Sequence, residues 1–209
     1  RLPVRLDFDD NYYTDRWQGV PTEGYGRVFE RLLEGVAVEL ETDFLADRGY
    51  WMAHHPLVIY TGALDAFFDY EFGPLEYRSL RFEREELPFD DFQGNAVVNY
   101  TEREVPWTRI VEHRHFDPKP AGGRTLVTRE YPAERAPGCE PCYPVRTPDN
   151  LARLGLYRAG EAELEGRVLF GGRLAEYRYH DMDDTIAAAL GAVRGLSGTG
   201  FRGGKCTRT

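Results

Sequence analysis

Between Tyr77 and Tyr131 the chain runs through four β-rich segments with no helix-length spacer between any two. They are Tyr77 to Glu85, Ala96 to Thr101, Trp107 to Phe116 and Thr125 to Tyr131, punctuated by Pro88, Gly94, Pro106 and Gly122-Gly123. Parallel pairing needs a crossover of a dozen or more residues, usually a helix, so these runs predict an antiparallel sheet.

Helical patterns flank that block. Gly24 to Glu34 spaces Val28, Phe29, Leu32 and Leu33 along one face and stops at Gly35. Val36 to Leu40 alternates as a strand, Leu57 to Tyr60 is a short apolar strand, and Ala63 to Phe72 carries a helical face of Leu64, Phe67 and Phe68. After a proline-rich loop, a helix is expected over Asn150 to Glu165, a buried strand over Arg167 to Phe170 and a helix over Asp181 to Arg194. Asp181 can cap that last helix, and Asp183 and Asp184 complement its positive end. The glycine-rich tail from Ser197 is expected to fray. The predicted fold class is α+β.

A length of 209 residues with 42% hydrophobic side chains suffices for one large or two small domains. Thirty-five acidic against 26 basic residues, a net charge of -9, exclude a surface adapted to nucleic-acid backbone or anionic membrane. Three cysteines (Cys139, Cys142, Cys206) are too few for a disulfide scaffold and suit a reducing compartment. With neither a long apolar run nor a secretory leader, the expectation is a soluble, cytoplasmic protein. Opening on Arg1 without a methionine, the chain reads as a fragment. Cys139-Glu140-Pro141-Cys142 is a lone CxxC, and His113 and His115 have strand spacing, so no metal site and no redox pair are expected.

Arg78 and Arg109 fall inside predicted strands, where a buried guanidinium needs a partner. Either could instead sit on a solvated sheet face, as in a cross-strand pair of Arg109 with Glu130. Tyrosines are dense around several arginines, a composition suited to a ligand with both rings and phosphates. The most specific local pattern is Val168-Leu169-Phe170-Gly171-Gly172-Arg173 followed by Asp181-Met182-Asp183-Asp184 at a helix start. A strand, a glycine pair, a cation and a helix N-terminus can meet an anionic cofactor edge; alone, the same residues also describe a turn that needs glycine.

These features occur with others in a fixed order: Asn11-Tyr12-Tyr13, Ile59-Tyr60-Thr61-Gly62, Phe68-Asp69-Tyr70, Leu75-Glu76-Tyr77-Arg78-Ser79-Leu80, Gln93-Gly94-Asn95-Ala96-Val97-Val98-Asn99-Tyr100, Thr108-Arg109-Ile110, Glu112-His113-Arg114-His115-Phe116 and Arg129-Glu130-Tyr131-Pro132. Together they resemble the bacterial UDP-galactopyranose mutase family from Arg1 to about Leu196. The family interconverts UDP-galactopyranose and UDP-galactofuranose, supplying galactofuranose for cell-surface glycans. The resemblance is to its C-terminal half, because the GxGxxG dinucleotide fingerprint is missing from this sequence. It implies that residues 1–35 end a helical domain, 36–72 belong in part to the flavin domain, 73–147 form the substrate-binding sheet, 148–196 close the flavin site and 197–209 are a disordered tail.

The resemblance implies FAD as cofactor, active when reduced. Flavin N5 is then the nucleophile that displaces UDP through a flavin–sugar adduct, so no side chain is catalytic. Arg1, Tyr12, Asn99, Arg109, Glu130, Tyr143 and Tyr179 would bind substrate, and Arg78, Arg173, Asp181 and Met182 would touch flavin. UDP-galactose in its two ring forms is the implied ligand, and a homodimer the implied state of the full-length enzyme. Departures from the family pattern are Cys142 and His180 at tyrosine positions and Trp107 where tyrosine is common. Two alternatives remain open: another FAD enzyme of amine oxidase-like architecture, and a non-catalytic remnant or binding module.

Overall fold

The computed structural model describes residues 6, 8, 13, 15–116, 122–134, 139–164 and 166–198. In chain order the elements are α1 (Gly24–Leu32), a 3-10 turn (Phe44–Asp47), α2 (Arg48–His54), β1 (Val58–Tyr60), α3 (Leu64–Phe67), β2 (Tyr77–Leu87), β3 (Val97–Asn99) and β4 (Arg109–Glu112). A second 3-10 turn (His113–Phe116), β5 (Thr125–Glu134), β6 (Tyr143–Pro144), α4 (Pro148–Ala162), β7 (Val168–Phe170), α5 (Gly172–Ala175) and α6 (Met182–Gly198) follow. The fold is α+β, with an antiparallel five-stranded sheet ordered β3-β4-β5-β2-β6 and a parallel β1-β7 pair.

Antiparallel pairing shows in the bonds. Tyr100 N donates to Thr108 O at 2.9 Å and Glu112 N to Ala96 O at 2.9 Å, so positions rise on one strand as they fall on the next. β6 was not anticipated from sequence; it pairs Tyr77 with Pro144 and Arg78 with Tyr143 on β2.

The chain divides into two compact units. One comprises Glu41–Glu83, Asn99–Ile110 and Arg129–Thr209. Its core gathers Leu64, Leu75, Tyr77, Tyr157 and Tyr177, beside a second cluster of Tyr60, Phe67, Val168 and Ala175. Buried phenols stay in it because each finds an acceptor: Tyr157 donates to Gly73 O at 2.7 Å, and the Tyr177 hydroxyl lies 2.7 Å from Glu76 O. The helix expected over Ala63 to Phe72 is only α3, ending at Phe67. Asp65, fully buried, accepts from Leu75 N at 2.9 Å, and Asp69 and Tyr70 turn the chain with φ of 52° and 60°. That side chain rewards a turn over further helix. α4 starts two residues before the expected Asn150, because Thr147 accepts from Asn150 N at 3.3 Å ahead of Pro148.

The other unit comprises Arg1–Leu40, Arg84–Val98 and Val111–Thr128. The expected helix over Gly24 to Glu34 is α1, and Gly35 follows at φ 78°. Its apolar face is exposed, with Phe29 at 58% and Leu32 at 69%. The strand expected over Val36 to Leu40 is absent: Val36 N turns back to Leu33 O at 2.9 Å, and the segment runs exposed. The run from Trp107 to Phe116 is strand only as far as Glu112; His113–Phe116 curls into a 3-10 turn, so His113 and His115 lack the expected strand spacing. Glu112 anchors this turn: fully buried, it accepts from Phe92 N and Gln93 N at 2.9 Å each and from Thr125 Oγ1 at 2.7 Å. Burial alone would raise its carboxyl, but these donors outweigh burial and hold it below the usual range. Among the described residues, no helix is long and apolar enough to cross a membrane.

Candidate functional site

Three neighbouring strands bring Asn99, Arg109 and Glu130 together. Arg109 Nε donates to Asn99 Oδ1 at 3.0 Å, and Nη1 lies 3.6 Å from Glu130 Oε2. Thr108 N bonds to Glu130 O at 2.9 Å, fixing the strand beneath the pair. The cross-strand pair expected of a sheet face is thus present, with Asn99 added. The expectation of buried guanidinium groups needs correction: Arg109 is half-buried, and Arg78 is exposed because β2 turns its even positions near the start toward solvent. An exposed guanidinium keeps its hydration and its donors for a ligand.

A second group forms where β6 meets the segment after β7. The rings of Tyr143 and Tyr179 stack 5.9 Å apart at 14°. The Arg173 guanidinium lies 4.6 Å from the Tyr179 centroid and 5.6 Å from that of Tyr143. Nε and Nη2 of Arg173 both donate to the His180 carbonyl, at 3.2 and 2.6 Å. Gly172, at φ 82°, starts α5 in a conformation that suits glycine, and Gly171 N ties β7 to Tyr60 O at 3.1 Å. Burial, then the charge of Asp181 and a hydrogen bond to it, push the Tyr179 phenol upward. Met182, 65% exposed, opens α6. Two stacked phenol rings beneath a cation offer planar contact and charge to a ligand with an aromatic or anionic edge.

Both groups lie in one compact unit, and β2 carries Arg78 opposite Tyr143 in register. Among the described residues no hydrogen bond, ion pair or ring contact joins Asn99, Arg109 or Glu130 to Tyr143, Tyr179 or Arg173. Arg1 and Tyr12 lie outside the described residues.

Sequence reading missed Glu176 and His180. His180, 6% exposed, places Nε2 2.9 Å from Glu176 Oε2, while Glu176 Oε1 accepts from Gly172 N at 3.3 Å. Their spacing of four residues was the available signal. It also missed a face on which Arg81 covers Tyr131 at 4.0 Å, Trp107 meets Tyr131 edge-on, and Tyr131 donates to Glu83 at 2.6 Å. The thiols of Cys139 and Cys142 are free. Cys142 N bonds to Arg78 O at 3.0 Å, extending the β6 pairing by one residue. The carboxylate and imidazole groups that do gather are Asp91, Glu112 and His115, within 4.8 Å of one another. Arg114 lies 3.8 Å from Asp91, and Gly94 N at 2.7 Å is the main influence lowering the Asp91 carboxyl.

The sequence profile of the UDP-galactopyranose mutase family matches residues 1–179. A probable UDP-galactopyranose mutase of Klebsiella pneumoniae is 42% identical over 192 residues, covering 91% of this chain and 49% of that protein. The dTDP-fucopyranose mutase of Escherichia coli is 37% identical over 195 residues, covering 91% of this chain and 52% of that protein. The UDP-galactopyranose mutase of Mycoplasma pneumoniae is 29% identical over 211 residues, covering 94% of this chain and 52% of that protein. This chain therefore spans about half the length of the curated relatives it matches, and it belongs to the UDP-galactopyranose mutase family.

Proposed function

We propose that the protein to which this chain contributes interconverts UDP-galactopyranose and UDP-galactofuranose with reduced FAD, supplying galactofuranose for cell-surface glycans. The observation that carries this reading is the Arg173 guanidinium over the stacked Tyr143 and Tyr179 rings, in a chain of this family. The donor set fits such a cofactor, since no described residue takes Arg173 Nη1 and the rings offer a flat apolar wall. Bound reduced flavin would supply the nucleophile, which leaves binding and charge neutralisation to the side chains.

Arg109, steadied by Asn99 and Glu130, would grip diphosphate oxygens with the donors those partners leave over. Tyr143 and Tyr179 would present hydroxyls and ring faces to the substrate, with Arg1 and Tyr12 completing the set. Arg78, Arg173, Asp181 and Met182 would face the flavin. The parallel β1-β7 pair supports assignment of residues 36–72 and 148–196 in part to a flavin domain, because a parallel sheet is normally wider and covered on both faces. Residues 1–35 would end a helical domain, and 73–147 would form the substrate sheet. A homodimer in the cytoplasm is the state proposed for the whole protein, and the free thiols suit a reducing compartment.

One observation favours a second substrate, dTDP-fucose: the Escherichia coli relative at 37% identity is a dTDP-fucopyranose mutase. The test is turnover by the complete polypeptide, reduced with dithionite, on UDP-galactofuranose and dTDP-fucofuranose. Conversion of the first in preference supports the reading; conversion of the second alone replaces the substrate. No conversion of either, with FAD bound, would leave a binding module. The 209-residue chain by itself is expected to show no turnover even with added reduced FAD.

A further inference from the structure

We infer that Glu176 and His180 are positioning residues for Arg173, holding its guanidinium toward the anionic or electron-rich edge of a bound flavin or nucleotide; the ligand half of this statement rests on the function proposed above. A closed ring of contacts carries it. Glu176 Oε1 accepts from Gly172 N at 3.3 Å and Oε2 from the His180 ring at 2.9 Å, so one carboxylate joins the first residue of α5 to a residue eight positions later. An ionised carboxylate only accepts, so His180 Nε2 carries the proton in this contact. The His180 carbonyl then receives both Nε and Nη2 of Arg173.

Between these points the backbone is itself bonded as far as Arg178, two residues short of the His180 carbonyl. Tyr177 sits at φ 49°, a left-handed conformation that a non-glycine residue keeps only when its surroundings impose it. Its ring end is fixed by Glu76 O and Val145 O, and its carbonyl by Arg146 Nη1 at 3.1 Å. Those bonds secure Tyr177, and Arg178 N donates to Arg173 O at 3.1 Å; at His180 itself the side-chain contact is the one with Glu176. Without the carboxylate a nearly buried imidazole loses its partner, and the carbonyl that anchors Arg173 loses its restraint. Arg173 would then leave the two tyrosine rings for solvent. The fork spends two of its five donors on this anchor, which leaves Nη1 directed by the anchor's geometry.

The experiment follows Arg173 directly in the complete, ligand-free polypeptide labelled with nitrogen-15. Its Nε proton is assigned by loss in Arg173→Lys, and exchange with water is measured in Glu176→Asp, Glu176→Ala and Glu176→Gln. Asp is one methylene too short to bridge Gly172 and His180, so exchange should accelerate about tenfold or more there and in Ala. Gln can accept from Gly172 and donate to the other imidazole tautomer, so exchange should stay within about twofold of the parent. The backbone amides of β7 should be unchanged throughout. Parental exchange in Glu176→Asp would overturn the inference, as would equal acceleration of the β7 amides, which would mark a general loss of structure. If Glu176→Ala does not fold, the Asp and Gln variants decide on the same criteria. FAD affinity of Arg173→Lys is measured alongside: unchanged affinity with fast exchange in Glu176→Asp leaves the positioning intact and removes the flavin as its purpose.

Discussion

Arg109 Nε donates to Asn99 Oδ1 at 3.0 Å, which spends one edge of the guanidinium on a neighbouring strand and turns the rest of the fork outward. Glu130 Oε2, 3.6 Å from Nη1, balances the charge without a close bidentate grip. A ligand with paired oxygens therefore finds a planar donor already oriented. Arg109→Ala should lose more than Arg109→Lys, because lysine keeps a charge but cannot bond Asn99 and two ligand oxygens together. With charge-assisted bonds worth about 1.5–3 kcal/mol each, the alanine variant should fall about tenfold to several hundredfold in kcat/KM. Steady-state kinetics of the complete polypeptide with UDP-galactofuranose under dithionite measure it, and parental activity in Arg109→Ala would remove Arg109 from the site.

Glu112 makes a different kind of prediction, about stability. Its carboxylate is the acceptor for Phe92 N, Gln93 N and Thr125 Oγ1 at a fully buried position. Each unpaired buried donor costs about 1–3 kcal/mol, so Glu112→Ala should destabilise by about 3 kcal/mol or more, and Glu112→Gln by less. Its folded pKa is depressed, so the charged form is the one the fold prefers. The stabilisation is then complete above the unfolded carboxyl range and is lost as pH falls through the lower folded value. Urea midpoints should show the gap between parent and Glu112→Gln narrowing on acidification. A gap that widens in acid would contradict the assignment.

What the sequence made legible was whatever repeats locally. Leu57 to Tyr60, Tyr77 to Glu85 and Arg167 to Phe170 each became strands because a run of apolar or alternating residues suits a sheet edge with a partner to meet. Val36 to Leu40 has the same alternation and no strand, because pairing is a property of two segments and alternation of one. Helix ends moved where one polar side chain intervened: Asp65 ended α3 early, and Thr147 began α4 early. For the site, Arg109 with Glu130 was readable from strand spacing, whereas the stack of Tyr143 on Tyr179 joins residues 36 positions apart and needed the fold. Glu176 and His180 were within reach at helical spacing. Glu176 was passed over because it matched no quoted family position, and His180 was read only as a departure from a family tyrosine.

Cys142, expected from the sequence to stand at a family tyrosine position, contributes from its side chain only a weak contact of Sγ with Glu140 O at 3.6 Å. Its backbone N–H, bonded to Arg78 O, does the structural work of continuing β6. Cys142→Ser keeps that backbone bond and a similar volume, so it should leave kcat/KM and the thermal midpoint close to parental values. An inactive but folded Cys142→Ser would show that the thiol has a role not assigned to it here. Both thiols should also react with a disulfide reagent in the native protein, since Cys139 is exposed and Cys142 half-buried.

Gly62 is fixed by Tyr60. A Cβ at Gly62 would lie 2.6 Å from Tyr60 Cζ, well inside contact distance, and the ring cannot swing away. It is held by Phe67 at 5.1 Å, Phe44 at 5.6 Å and Phe170 at 6.0 Å, and its hydroxyl donates to Ala63 O at 3.2 Å. Gly62→Ala should therefore destabilise by about 1–3 kcal/mol through overpacking. Tyr60→Phe removes the hydroxyl but leaves Cζ in place, so the double variant should recover little. The same packing acts on the phenol's ionisation: burial first, then Asp65, Tyr70 and Asp43, push its pKa up to about 12 despite Arg48. The neutral phenol is the folded form, so this contribution is complete below the unfolded value of 10.0 and is lost as pH rises through about 12. Parent and Tyr60→Phe should accordingly converge or cross in stability on the alkaline side, by about 2 kcal/mol relative to neutral pH. Urea unfolding of both proteins near neutral pH and at about pH 11.5 tests this. A stability difference that stays constant across that range would mean that Tyr60 ionises freely and that its ring is not held as described.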